Sequence, residues 1–123
     1  MTAGLIAYIV GIDRAPPGPL GEFEQVILLA VLRLGDAAYA VPIRGEISAR
    51  TRRAPARGAV YVTLDRLEEK GYLDSWLAAP AAERGGRPRR YYRVKPAGVR
   101  ALEQSWAALR RMWEGLEPKV RET

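Results

Sequence analysis

The chain has 123 residues, is 48% hydrophobic and carries a net charge of +6. That length bounds it to one small domain with a modest core, whose burial a partner subunit can complete. It contains neither cysteine nor histidine. Disulfide staples, thiolate chemistry, the commonest metal ligand and the commonest general base near neutral pH are all excluded, and the composition suits a reducing cytoplasm.

The first 19 residues read as an arm. Leu5 to Val10 is a short strand or an apolar arm; the longest early apolar stretch, Leu5 to Ile12, is too short to span a membrane and lacks a basic start. Asp13 to Pro19 holds three prolines and a glycine, and so reads as a linker. A first helix is expected from about Leu20 to Leu34, where Phe23, Val26, Ile27, Ala30 and Leu34 recur at helical spacing before Gly35-Asp36. A second follows from about Val41 to Ala49, with Pro42 in its first turn and Val41, Ile43 and Ile47 as apolar contacts.

A third helix is expected over Gly58–Lys70, with Val60, Leu64 and Leu67 on one face and Gly71 placed to cap it. Two short strands, Leu73–Ala78 and Arg89–Val94, flank an arginine-rich turn, with Trp76, Tyr92 and Val94 expected to cover the helices. A fourth helix begins near Ala97. Its Val99, Leu102, Trp106, Leu109, Trp113 and Leu116 follow a three-four spacing that predicts a dimer seam, since little core remains to bury it.

The expected fold is mainly α with a small antiparallel β-hairpin: a winged helix-turn-helix plus a C-terminal dimerisation helix. The division is 1–19 for the arm and linker, 20–95 for the DNA-binding domain, and 96–123 for the dimerisation helix and tail. Charge placement agrees. From Arg44 to Lys95 there are 13 Lys and Arg against 6 Asp and Glu, and elsewhere 7 against 8. The whole positive excess lies in the helix and wing segment. An anionic partner, DNA or RNA, is the natural reading; a solvated basic surface is the plainer one.

From about Leu20 to Leu116 the chain resembles the PadR family of bacterial transcriptional regulators. The resemblance rests on Leu20-Gly21-Glu22-Phe23-Glu24, on Tyr39, on Arg57-Gly58-Ala59-Val60-Tyr61, and on Leu64-Asp65-Arg66-Leu67-Glu68-Glu69-Lys70-Gly71. It continues through Gly85-Gly86-Arg87-Pro88-Arg89-Arg90-Tyr91-Tyr92-Arg93-Val94 to Pro96-Ala97-Gly98. It implies a homodimer that binds duplex DNA at palindromic promoter sites, usually as a repressor and in some members under small-molecule control. The family often has Ser at the position of Ala56 and Pro at that of Val62. Ala56 cannot cap the third helix as Ser would, at a cost of about 1 kcal/mol.

Candidate DNA contacts follow. Arg52, Arg53 and Arg57 precede the third helix and supply nonspecific affinity for the DNA backbone. Tyr61 is either a phosphate contact or a half-buried core tyrosine. Arg57 and Thr63 are placed for phosphates or base edges. Arg84, Arg87, Arg89 and Arg90 form the wing, where Gly85 and Gly86 permit close approach and an arginine can enter a narrow minor groove.

Trp106 and Trp113 share a helix face. Both read as dimer core or, more sharply, as an aromatic pocket for a planar cationic effector, with Glu103 and Glu114 nearby. No nucleophile–base pair or metal cluster emerges, so no catalytic residue, metal or cofactor is expected. A nonspecific architectural DNA-binding protein and a protein-interaction winged helix remain the alternatives.

Overall fold

The structure is a computed structural model, and it describes residues 19–79, 85 and 88–122. The arm at 1–18 and the wing residues Arg84, Gly86 and Arg87 lie outside the described residues.

Helix α1, Glu22–Leu34, starts two residues later than the spacing predicts. Glu22 and Glu24 sit in its first turn, at the positive end of the helix dipole. The Gly21 N–H donates to Glu24 Oε1 at 2.9 Å. This is the return half of a capping box, as Gly21 has no side chain to supply the other half. The helix buries Ile27, Leu28, Ala30 and Val31, while Phe23, Val26 and Leu34 pack at the edge of the core. It stops at Gly35, which adopts a φ of 56° and opens a short 3-10 turn, Gly35–Ala37.

Helix α2, Ala40–Thr51, buries only Ile43 and Ile47. Val41, expected to add an apolar contact, is 67% exposed. It sits at the amino-terminal end of the helix, two residues from Ile43, on a different face. The helix ends on Arg52, which takes the left-handed conformation (φ 59°, ψ 24°) and donates its N–H to the Ser48 carbonyl at 3.1 Å. Helix α3, Arg57–Glu69, buries Val60, Thr63, Leu64 and Leu67. It closes as expected on Gly71, with a φ of 83°. The Gly71 N–H reaches the Glu68 carbonyl at 3.0 Å, and the Tyr72 N–H reaches that of Leu67 at 2.9 Å.

Strands β1, Leu73–Ala78, and β2, Arg89–Val94, pair antiparallel at the expected boundaries. Ser75 lies opposite Tyr92, and Trp76 opposite Tyr91. Side chains alternate along a strand, so Trp76 shares the face of Tyr91 and not that of buried Tyr92. Trp76 therefore lies on the outer face, half-exposed, and does not cover the helices as expected. On the other edge of β2, Tyr39 forms an isolated antiparallel bridge with Tyr91. The Tyr92 N–H donates to the Ala38 carbonyl at 2.9 Å.

Helix α4, Pro96–Trp113, begins with proline in its first turn. Gly98 is required where it stands: a Cβ there would lie 2.6 Å from the Tyr72 carbonyl oxygen and 2.8 Å from Val94 Cγ1. One turn on, Leu102 enters the protomer's own core at 8% exposure, so it is not free for a seam. The seam also ends sooner than its spacing suggests. Gly115, with a φ of 80°, lies between α4 and a short helix α5, Glu117–Glu122, and leaves Leu116 outside α4.

The core centres on Ile27, Leu28, Ile43, Leu64, Leu67 and Leu73, all fully buried. Each contributes roughly 1.5–3 kcal/mol. No helix among the described residues is long and apolar enough to cross a membrane.

One ion pair ties α3 back to α1. Lys70 Nζ donates to Glu24 Oε2 at 2.7 Å across 46 residues. Burial alone would push the Glu24 carboxyl up. The Lys70 and Gly21 hydrogen bonds and the charges of Lys70 and Arg66 outweigh it and hold the carboxyl below its ordinary value. A depressed carboxylate stabilises the fold fully above its unfolded pKa near 4.5, and that stability fades as pH falls through the lower folded value. Glu24→Gln should cost about 1–2 kcal/mol at neutral pH. The gap to wild type should close when unfolding is measured below the carboxylate range; a gap of equal size at both pH values would refute the ionic account.

Arg52 gives a second expectation. A non-glycine residue in the left-handed region costs about 1 kcal/mol. Arg52→Gly should therefore raise stability by about 0.5–1 kcal/mol in chemical denaturation.

Candidate nucleic-acid interface

Helix α3, the start of α2 and the wing hairpin enclose a cleft of about 520 Å³. Of the expected DNA contacts, Arg57, Tyr61, Arg89 and Arg90 line it, together with Tyr39, Gly85 and Pro88. Arg57 and Tyr61 belong to successive turns of α3, four residues apart and thus on one face. Tyr61 is partly exposed, with its side chain in the cleft rather than the core. A second cleft, of about 470 Å³, shares Val41, Arg57 and Tyr61 and continues between α2 and α3 past Arg44 and Ser48. The two form one basic surface from helix to wing.

Thr63 does not belong to it. It is 5% exposed, three residues after Val60 and four before Leu67, which places it on the buried face. It packs on the core side of α3, away from the cleft. Arg52 and Arg53 lie in the turn between α2 and α3, outside both clefts. Arg53 pairs with Glu22 at 3.0 Å and lines a shallow hollow with Phe23, Pro55 and Ala59.

The turn before α3 is fixed from α2. Arg44 Nε donates to the Pro55 carbonyl at 2.7 Å, and Thr51 Oγ1 donates to the Ile47 carbonyl at 2.7 Å while accepting the Arg53 N–H. Ala56 makes no side-chain cap, as its residue type requires. The wing is tied to α3 by a relay. Arg90 Nη1 donates to Ser75 Oγ at 2.9 Å, and Ser75 Oγ donates to Glu68 Oε2 at 2.7 Å. Glu68 therefore supports the wing instead of standing free on the helix surface. Arg93 pairs with Asp74 across the strands at 3.8 Å. Tyr92 anchors the hairpin. Burial first, and then the Asp65 charge against that of Arg90, pushes its hydroxyl up to about 12, so it is neutral in the physiological range.

Tyr39 is the residue whose part in the cleft the sequence leaves unread. Its ring stands 5.4 Å from that of Tyr91, and the Arg89 guanidinium lies 3.9 Å above it. Trp76 stacks on Tyr91 at 6.1 Å. Tyr39 stands just before an amphipathic run, a position that helical spacing does not weigh.

Away from the cleft, α4 carries an uncovered apolar face. Trp106 is 65% and Leu109 is 55% exposed, and Met112, Trp113 and Leu116 are exposed too. Val99 is partly buried. The Arg110 guanidinium lies 5.0 Å over the Trp106 ring.

Several solved structures share this fold. A PadR family transcription regulator from Clostridium difficile R20291 superposes with a TM-score of 0.63 at 20% identity, covering 80% of this chain and 98% of that one. A PadR family transcriptional regulator from Eggerthella lenta DSM 2243 gives 0.62 at 22% identity, with 98% and 95% covered. A transcriptional regulator from Clostridium thermocellum gives 0.62 at 23% identity, with 77% and 89% covered. No curated protein matches the chain. Residues 28–104, well over half the chain, match the Transcriptional regulator PadR-like family. On that match this chain belongs to the PadR-like family of transcriptional regulators.

Proposed function

We propose that the chain is a sequence-specific duplex-DNA-binding regulator that acts as a homodimer on a palindromic promoter site, as a repressor. The observation that carries this reading is the division of the surface. One side gathers Arg57, Tyr61, Arg89 and Arg90 around a cleft between helix and wing. Another leaves Trp106, Leu109 and Trp113 uncovered on α4. The first fits a phosphate backbone and a groove, the second a partner's helix. In this reading α3 enters the major groove, and Arg84 and Arg87 add affinity for the backbone by their charge. A repressor acts by occupying the site, which asks for no catalytic group.

The effector reading concerns the same α4 face. Arg110 over Trp106 favours it, because that ring already accepts a planar cation. A planar aromatic cation entering between subunits would stack on Trp106 and Trp113. It would alter DNA affinity only by binding the free and DNA-bound geometries unequally.

Two experiments test the proposal. Trp106→Glu with Leu109→Glu places charge on side chains that no protomer core needs. Sedimentation should show a folded monomer in place of the dimer, and a folded dimer would remove α4 from the interface. Footprinting on genomic fragments should show protection of a short palindrome with half-sites about 34 Å apart. Coating without preference would make the protein architectural, and no protection would make it an interaction module. In the same assay Arg57→Ala should weaken binding by about tenfold and lower its salt dependence.

A further inference from the structure

The Arg89 guanidinium is held from two sides. Its Cζ lies over the Tyr39 ring, 3.9 Å from the ring centre, and its Nη1 donates to the Tyr91 hydroxyl at 3.3 Å. The Tyr91 ring is itself placed, with Tyr39 on one flank and Trp76 on the other. Tyr39 is fixed by its backbone bridge to Tyr91 and by its position as the residue that opens α2. Arg89 thus meets the cleft from a rigid aromatic mount, beside Arg57 and Tyr61 of α3.

A long arginine side chain ordinarily loses rotamer freedom when it engages a phosphate. Here the ordering precedes binding. A guanidinium carries five N–H donors and stays charged over a ring, so one that already has partners can still take a phosphate. We infer that Tyr39 is a positioning residue for DNA binding: it holds Arg89 so that the guanidinium receives one backbone phosphate between the wing and α3. This rests on the DNA-binding reading above. It assigns Tyr39 no contact with DNA; the residue acts through Arg89.

Binding to a short mixed-sequence duplex, measured over a salt series, tests the inference, because a phosphate contact needs no operator. Arg89→Ala should lower the slope of log affinity against log salt by about 0.9, the loss of one phosphate contact. Tyr39→Leu should weaken binding by about fivefold, and Tyr39→Phe, which keeps the ring, should bind as wild type does. The deciding measurement is the double variant. Tyr39→Leu added to Arg89→Ala should cost no further affinity, since the residue it would position is gone.

A merely structural Tyr39 would weaken both backgrounds equally, and that result would overturn the inference. So would an unchanged salt slope for Arg89→Ala. Should Tyr39→Leu unfold the domain, Arg89→Lys gives a second route: it keeps the charge but not the planar stack, and must fall between wild type and Arg89→Ala. Failure of the wild type itself to bind duplex would instead refute the DNA-binding reading and leave the variants with nothing to measure.

Discussion

The functional surface depends on a seam of backbone contact. The Ala38 carbonyl accepts the Tyr92 N–H, and Tyr39 bridges to Tyr91. Through these contacts the wing hairpin joins the start of α2. An isolated two-stranded hairpin is marginal in water. This one gains a third partner on one edge and buries Tyr92 and Leu73 against the helices. Without that seam the arginines of β2 would have no fixed relation to α3, and the cleft between them would not exist as a shape.

Electrostatics divides the same head into two jobs. Acidic side chains hold the scaffold: Glu24 takes Lys70, Glu22 takes Arg53, Asp74 takes Arg93, and Glu68 reaches Arg90 through Ser75. Among the described residues the charged side chains that line the cleft are all arginines, set beside tyrosines. The field there is positive because the acids are employed elsewhere, an arrangement that draws in polyanions.

Local features were legible in the sequence. The strand ends follow from alternation and from the Gly and Arg turn, and α1 and α3 lie within about two residues of their expected limits because Gly35 and Gly71 punctuate them. Four features were not read. Thr63 sits at buried spacing within α3, a signal present but outweighed by its polar hydroxyl. Trp76 lies opposite Tyr91 and so on the other face from Leu73 and Ser75, a parity that its expected place over the helices overlooks. Leu102 belongs to the protomer because Gly98, one turn earlier, lets α4 lie against Tyr72; no heptad count contains that contact. The Glu24–Lys70 pair spans 46 residues and exists only once the helices have packed. Period and punctuation live within one element, whereas register and partner choice arise between elements.

The close approach at Gly98 has a mechanical meaning. From Gly98 to Trp113 helix α4 runs about 22 Å. Its near end rests on the Tyr72 carbonyl, and Tyr72 is hydrogen-bonded directly to Leu67 near the end of α3. The helix is therefore a rigid arm with its fulcrum against the DNA-reading head. A tilt of about 10° at that fulcrum carries the far end through about 4 Å, roughly three quarters of a helical turn. Conversely, a shift of that size imposed at Trp113 reaches the head as a small rotation, felt first where Leu102 enters the core.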